Sequence, residues 1–211
     1  MEIISHRGFW TDAREKNRPE AFRRSFEHGF GVETDVRDRL GELVISHDCP
    51  TGGEMLFQEF LALYSQYQRP GSLALNVKAD GLQGEILRLL KAHEITRYFL
   101  FDCSVPDLLK TAHAGLVFYT RESELEPQPL SLYERAAGVW MDCFESDWIH
   151  ASHVTEHLER GKKVCLVSPE LHRRPHRAVW ERWREIAPAA GSRLALCTDY
   201  PQEAKEFFDV F

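Results

Sequence analysis

The chain has 211 residues, 43% of them hydrophobic and 28% charged, the proportions of one globular domain with a full core. Its 26 Lys and Arg against 33 Asp and Glu leave a formal charge of −7, which argues against general nucleic-acid binding, since that needs a basic surface. No apolar run approaches the roughly 20 residues that span a bilayer, and the opening residues lack the basic start and long apolar stretch of a leader.

Strand-like runs and helical patterns alternate along the chain. Residues 2–6 predict a first strand, and 20–28 a helix with Ala21, Phe22 and Phe26 inward and Gly29 as its stop. Strand-like runs follow at 31–35, 43–47, 73–78, 98–102, 116–120, 138–143, 163–168 and 193–198. Helical patterns follow at 56–66, 83–93, 107–113, 130–137, 150–160, 178–187 and 202–208. Most strand candidates are continuous apolar runs, which suits strands of a parallel sheet buried on both faces. Residues 43–47 read as a hairpin partner of the strand before them. Eight strands then remain, each followed by a helix, at about 26 residues per unit, near the lower limit for a (β/α)8 TIM barrel. An open doubly wound sheet is the competing architecture, but no glycine-rich phosphate loop follows the first strand. No repeat, linker or composition shift divides residues 1–211, so a single domain is expected. Five widely spaced cysteines, odd in number and without a CxxC pair, read as free thiols, most of them in the core, in a reducing cytoplasm.

In such a barrel the chemistry sits at the C-terminal ends of the strands. Those ends here carry His6 and Arg7, Glu33 and Asp35, His47 and Asp48, Asn76 and Lys78, then Asp102, Asp142, Glu170 and Asp199. Asp102 and Asp199 read as N-caps of the helices that follow. Glu33 and Asp35 lie two apart, so both point to one face of a buried strand, where two carboxylates demand a counterion. A hard divalent cation answers that demand. Ion pairs with Arg7 or Lys78 are the plainer alternative. His6 and His47 are of the type that titrates near neutrality and suits acid–base work. Arg7 and Lys78 suit a phosphoryl group. Together they describe a phosphodiester-cleaving site. Among other features, Phe9 and Trp10 read equally as a substrate wall or as packing. Trp180 and Trp183 read as packing, and His153 with His157 as a solvated helix face. Arg173, Arg174 and Arg177 read as a solvated loop or as a second anion site.

The same residues carry a family resemblance. His6-Arg7-Gly8, Asn17 with Ala21-Phe22, Gly31-Val32-Glu33-Thr34-Asp35-Val36 and His47-Asp48 resemble the glycerophosphodiester phosphodiesterase pattern HRG, ENTxxAF, GxExDV and HD, in order and spacing. Thr198-Asp199-Tyr200-Pro201 resembles the family's ending. The resemblance implies a TIM barrel and divalent-metal-dependent cleavage of a small-molecule phosphodiester, as in lipid metabolism. By matching position it makes His6 and His47 the acid–base pair, Glu33 and Asp35 metal ligands, and Arg7 a phosphate contact. Hydrolysis and cyclisation by a neighbouring substrate hydroxyl are both open.

Three departures mark a divergent member. Asn76 stands where the family's strand carries a third carboxylate, in Leu75-Asn76-Val77-Lys78. Its carbonyl still suits magnesium or calcium, with a weaker hold. Asp142 or Glu170 are candidates for the missing charge. Lys16 and Arg18 flank Asn17 where the motif has Glu and Thr, which would favour a more anionic substrate. Residues 49–72 are too few for the insertion that usually covers the site. The rival readings are an impaired barrel that binds a phosphorylated ligand, and an unrelated lyase or isomerase using the same strand-end acids.

Overall fold

All nine strand-like segments form strands in the computed structural model, which describes residues 1–209. They are β1 (Glu2–His6), β2 (Gly31–Arg39), β3 (Glu42–Ile45), β4 (Leu73–Val77), β5 (Tyr98–Phe101), β6 (Tyr119–Glu122), β7 (Gly138–Met141), β8 (Lys163–Val167) and β9 (Leu194–Thr198). The helices are α1 (Pro19–Glu27), α2 (Phe57–Gln66), α3 (Gln83–Ala92), α4 (Val105–His113), α5 (Ala151–Glu159), α6 (Arg177–Arg184), α7 (Ala187–Ala190) and α8 (Pro201–Phe208). The sheet order is β5-β4-β2-β1-β9-β8-β7-β6, with β3 paired only to β2. This is a compact (β/α)8 TIM barrel. Among the described residues no helix is long and apolar enough to cross a membrane. Contacts group the chain into two compact units, Ser5–Phe118 and Met1–Ile4 with Tyr119–Phe211.

In the first unit α1 and α2 pack through aromatic rings. Phe22 meets Phe60 edge-on at 4.7 Å between centroids, and Phe26 meets Tyr64 at 5.4 Å. Burying each such ring is worth about 1.5–3 kcal/mol. Gly8 fixes how the loop after β1 meets α1. It has φ +87°, and a Cβ there would stand 2.7 Å from the Ala21 Cβ. Phe9 N–H then donates to the Ala21 carbonyl at 3.1 Å. Phe9 packs on His28 and Phe30, so its role is packing. The expected hairpin of β2 and β3 is present, with Arg39 opposite Glu42. Leu40 and Gly41 between them both have positive φ, the requirement of a two-residue I′ turn. Residues 49–72 contain α2 and no further helix or named strand.

In the second unit β6 to β9 are parallel neighbours. Trp180 and Trp183 are fully buried, and Trp180 packs on Phe207 at 5.6 Å. Four expectations need correction here. Residues 130–137 form only a 3₁₀ turn, Tyr133–Arg135, because Pro127 and Pro129 stiffen the approach and Leu132 is left-handed at φ 50°. The helix expected over 178–187 ends at Arg184, since Pro188 has no N–H to bond back to it, and a separate short helix, α7, holds that proline in its first turn. His157 is not on a solvated face. It is buried, donating from Nε2 to Glu122 at 2.6 Å, with Nδ1 2.8 Å from the Tyr133 hydroxyl. Arg174 and Arg177 are held by protein groups, Arg174 by the Cys143 carbonyl and Asp147, Arg177 by Glu203. Cys143, Cys165 and Cys197 are buried free thiols, whereas Cys49 is exposed.

Candidate functional site

All seven candidate residues belong to the Ser5–Phe118 unit. β2 buries Glu33, Thr34 and Asp35 completely or nearly so. Its parallel register with β4 sets Asp35 opposite Asn76, so those two side chains leave the sheet side by side. Lys78 follows β4 and donates its N–H to the Val36 carbonyl at 2.9 Å.

Arg7 turns the chain at the end of β1 in a left-handed conformation, φ 56°. That turn aims its N–H at Glu33, reaching the carbonyl at 2.9 Å and carboxylate Oε2 at 3.2 Å. Its guanidinium Nε lies 3.0 Å from Asp35 Oδ2, and Lys78 Nζ lies 3.3 Å from Asp35 Oδ1. Asn17, also left-handed, donates from Nδ2 to Asp35 Oδ2 at 2.8 Å and accepts from the Thr34 hydroxyl at 2.8 Å. The motif asparagine therefore holds β2 and its acid in place.

The two carboxylates are driven apart in acidity. Burial and the charge of Asp35 push the Glu33 carboxyl up to about 8, against the pull of Arg7 and Lys78. Burial also acts to raise Asp35, but Arg7, Lys78 and the Asn17 amide outweigh it and hold that carboxyl below its usual range.

His6 Nε2 lies 3.9 Å from Glu33 Oε2. His47 sits on the loop after β3 with 45% of its side chain exposed, and its Nδ1 donates to Asp48 at 2.9 Å. Arg37 braces that loop through the His47 carbonyl at 3.3 Å, and His47 is within electrostatic reach of Asp35. The structure thus gathers His6, Arg7, Glu33, Asp35, Asn76 and Lys78 closely, with His47 on a more exposed rim.

Among the described residues no group of three or more His, Cys, Asp or Glu side chains is arranged to hold a metal ion. The carboxylate pair has an amide, Asn76, as its third neighbour. Asn76 Oδ1 is buried without a protein hydrogen bond, whereas Asp35 Oδ1 is buried with Lys78 Nζ at 3.3 Å as its charge partner. Two carboxylates and an amide oxygen are a hard donor set, and the Asn76 oxygen, which no protein donor reaches, fits magnesium or calcium.

The strand-end acids weighed as substitutes are engaged elsewhere. Asp142 accepts from His172 Nε2 at 2.6 Å and from Cys143 N–H at 2.9 Å. Glu170 accepts from Ser168, Thr198 and the Asp199 N–H. The N-cap positions of α4 and α8 are Ser104 and Tyr200, not the expected Asp102 and Asp199. Ser104 caps α4, accepting from Asp107 N–H at 3.4 Å, and the Tyr200 side chain makes no capping bond to α8. The signal was present in Ser104-Val105-Pro106-Asp107, a better start than Asp102 because proline suits the first turn and Asp107 its acidic third place. Asp102 accepts from Asn76 Nδ2 at 3.1 Å.

No protein-family model matches the sequence, and no curated protein does. Solved structures do. A protein from Galdieria sulphuraria described as a glycerophosphodiester phosphodiesterase is 18% identical, with TM-score 0.75 over 99% of this chain and 97% of that one. Glycerophosphodiester phosphodiesterases from Parabacteroides distasonis (16% identical, TM-score 0.70, coverage 99% and 96%) and Agrobacterium tumefaciens (17%, 0.68, 99% and 99%) match likewise. The chain has the fold of these phosphodiesterases. Overlap of nearly the whole length of both chains, at such low identity, makes it a structural likeness that the short motifs around β1, β2 and β3 carry into the sequence.

Proposed function

We propose that this protein cleaves a phosphodiester of glycerophosphodiester type, as a divalent-metal-dependent enzyme with His6 and His47 sharing the proton transfers. The observation that carries the reading is the buried Glu33–Asp35 pair. Arg7 and Lys78 stand on one carboxylate and His6 beside the other, at the strand ends of a fold shared with phosphodiesterases.

Glu33, Asp35 and Asn76 Oδ1 would hold the ion, which when bound supplies positive charge for the developing phosphoryl oxyanion. Arg7 and Lys78 place two further cations at that position and orient the phosphate. His47, its Nδ1 committed to Asp48, keeps Nε2 for proton transfer. His6, at the inner end of the site, is the second proton-transfer group. One histidine takes the proton of the attacking hydroxyl and the other returns one to the leaving oxygen.

The test is turnover of a glycerophosphodiester panel with magnesium, calcium, manganese or EDTA. Metal-dependent turnover that drops by about 10²-fold or more in both His6→Ala and His47→Ala supports the reading. If no panel member turns over while phosphorylated ligands bind, the protein is a binding module.

A further inference from the structure

We propose that Asp102 is a positioning residue for the metal site: it orients the Asn76 amide so that Oδ1 faces Asp35, and it lends the site a negative charge that Asn76 lacks. The inference rests on the metal-dependent reading above and names a residue outside its ligand set.

Asn76 is 7% exposed, and its two amide ends are treated differently. Nδ2 donates to Asp102 Oδ2 at 3.1 Å, whereas Oδ1 is buried with no hydrogen-bond partner. A carboxylate accepts and cannot donate, so it selects the nitrogen end of the amide and turns the oxygen away from itself. The oxygen is thereby set on the face Asn76 shares with its register partner Asp35. That oxygen meets no protein donor and lies beside the carboxylate pair, where a cation can take it.

The backbone supports the same assignment. Asn76 of β4 is opposite Phe101 of β5, and Asp102 is the next residue. Asp102 adopts a left-handed conformation, φ 60°, that brings its side chain to Asn76. The N-cap of α4 is Ser104. The Asp102 charge lies one amide away from the oxygen it orients, and polarisation through that hydrogen bond strengthens the oxygen as a donor.

Binding of manganese, calcium and magnesium to the full chain, followed by calorimetry, with melting temperature in EDTA as the folding control, tests this. Asp102→Asn removes the charge and the selection of the amide nitrogen, and Asp102→Gly removes the acceptor altogether on a left-handed backbone that suits glycine, so the second folds even if the first does not. Each is expected to weaken manganese binding about tenfold or more. In an Asn76→Glu background the same changes should have little effect, because a glutamate brings its own charge and needs no orienting. Equal losses in both backgrounds, or no loss in either, overturn the inference while leaving the metal site standing. Absence of metal binding by the unaltered chain overturns the metal reading and this inference together.

Discussion

Glu33 and Asp35 stand two residues apart on one face of β2, yet the first is held toward its neutral form and the second toward its charged form. The difference lies in their neighbours. Arg7 Nε and Lys78 Nζ both sit on Asp35, whereas Glu33 receives the Arg7 backbone N–H. A buried acid raised from its ordinary value to about 8 contributes most stability below its unfolded value, and loses that contribution as pH rises through 8. In EDTA, Glu33→Gln should therefore melt above the unaltered protein at pH 8.5, by a difference on the order of a few kcal/mol, and match it near pH 4.5. Thermal unfolding across that range checks it, and a gain independent of pH would contradict the assignment.

Asn17 is expected to act on Asp35 more than on the surrounding packing. Asn17→Ala removes the hydrogen bonds to Asp35 and Thr34 and leaves a left-handed backbone without its favoured residue type. A loss of about 1–3 kcal/mol in denaturant unfolding is expected, together with weaker metal binding. Asn17→Gly relieves the backbone, so it should recover part of the stability and none of the binding.

Gly8→Ala should be costly beyond its size. The new methyl meets Ala21 at 2.7 Å, and φ +87° is strained for alanine. Overpacking and strain together predict a loss of about 2–4 kcal/mol, read from the denaturant midpoint. Gly29→Ala is the control, with similar φ and nothing within 4 Å. It should cost only the strain.

Lys16 lies over the Trp10 ring at 4.4 Å, and the Trp10 indole N–H donates to the His6 carbonyl at 3.2 Å. A cation fixed beside the first catalytic candidate should favour substrates with an extra negative charge. Lys16→Glu is expected to lower kcat/KM for an anionic head group relative to a choline head group by on the order of fivefold or more, the value of roughly 1 kcal/mol per charge pair at contact. An unchanged ratio would mean that the lysine faces away from bound substrate.

Much of the site was legible in the chain because it rests on short-range patterns. The two-residue spacing of Glu33 and Asp35 predicts a shared face by strand geometry alone, and His6-Arg7-Gly8 announces a strand end and turn. Illegible were the partners. Whether Lys78 pairs with Glu33 or with Asp35 depends on a register between β2 and β4, about 40 residues apart. Asp102 reads as a helix cap in isolation, and only the neighbouring β4 shows it bonded to Asn76. His157 follows helical periodicity onto an outer face, and only β6 supplies the Glu122 that buries it.

The sequence by itself determined the fold class, since apolar runs and helical stripes of the right length and order leave few arrangements for a chain of 211 residues. It also determined which side chains could do chemistry, because residue types and their spacing are local properties. Tertiary structure alone decided their partners and their acidity. Burial, strand register and a few left-handed turns place two cations on one carboxylate, leave its neighbour desolvated, and turn an asparagine oxygen inward, and each of these is set by groups distant in the chain.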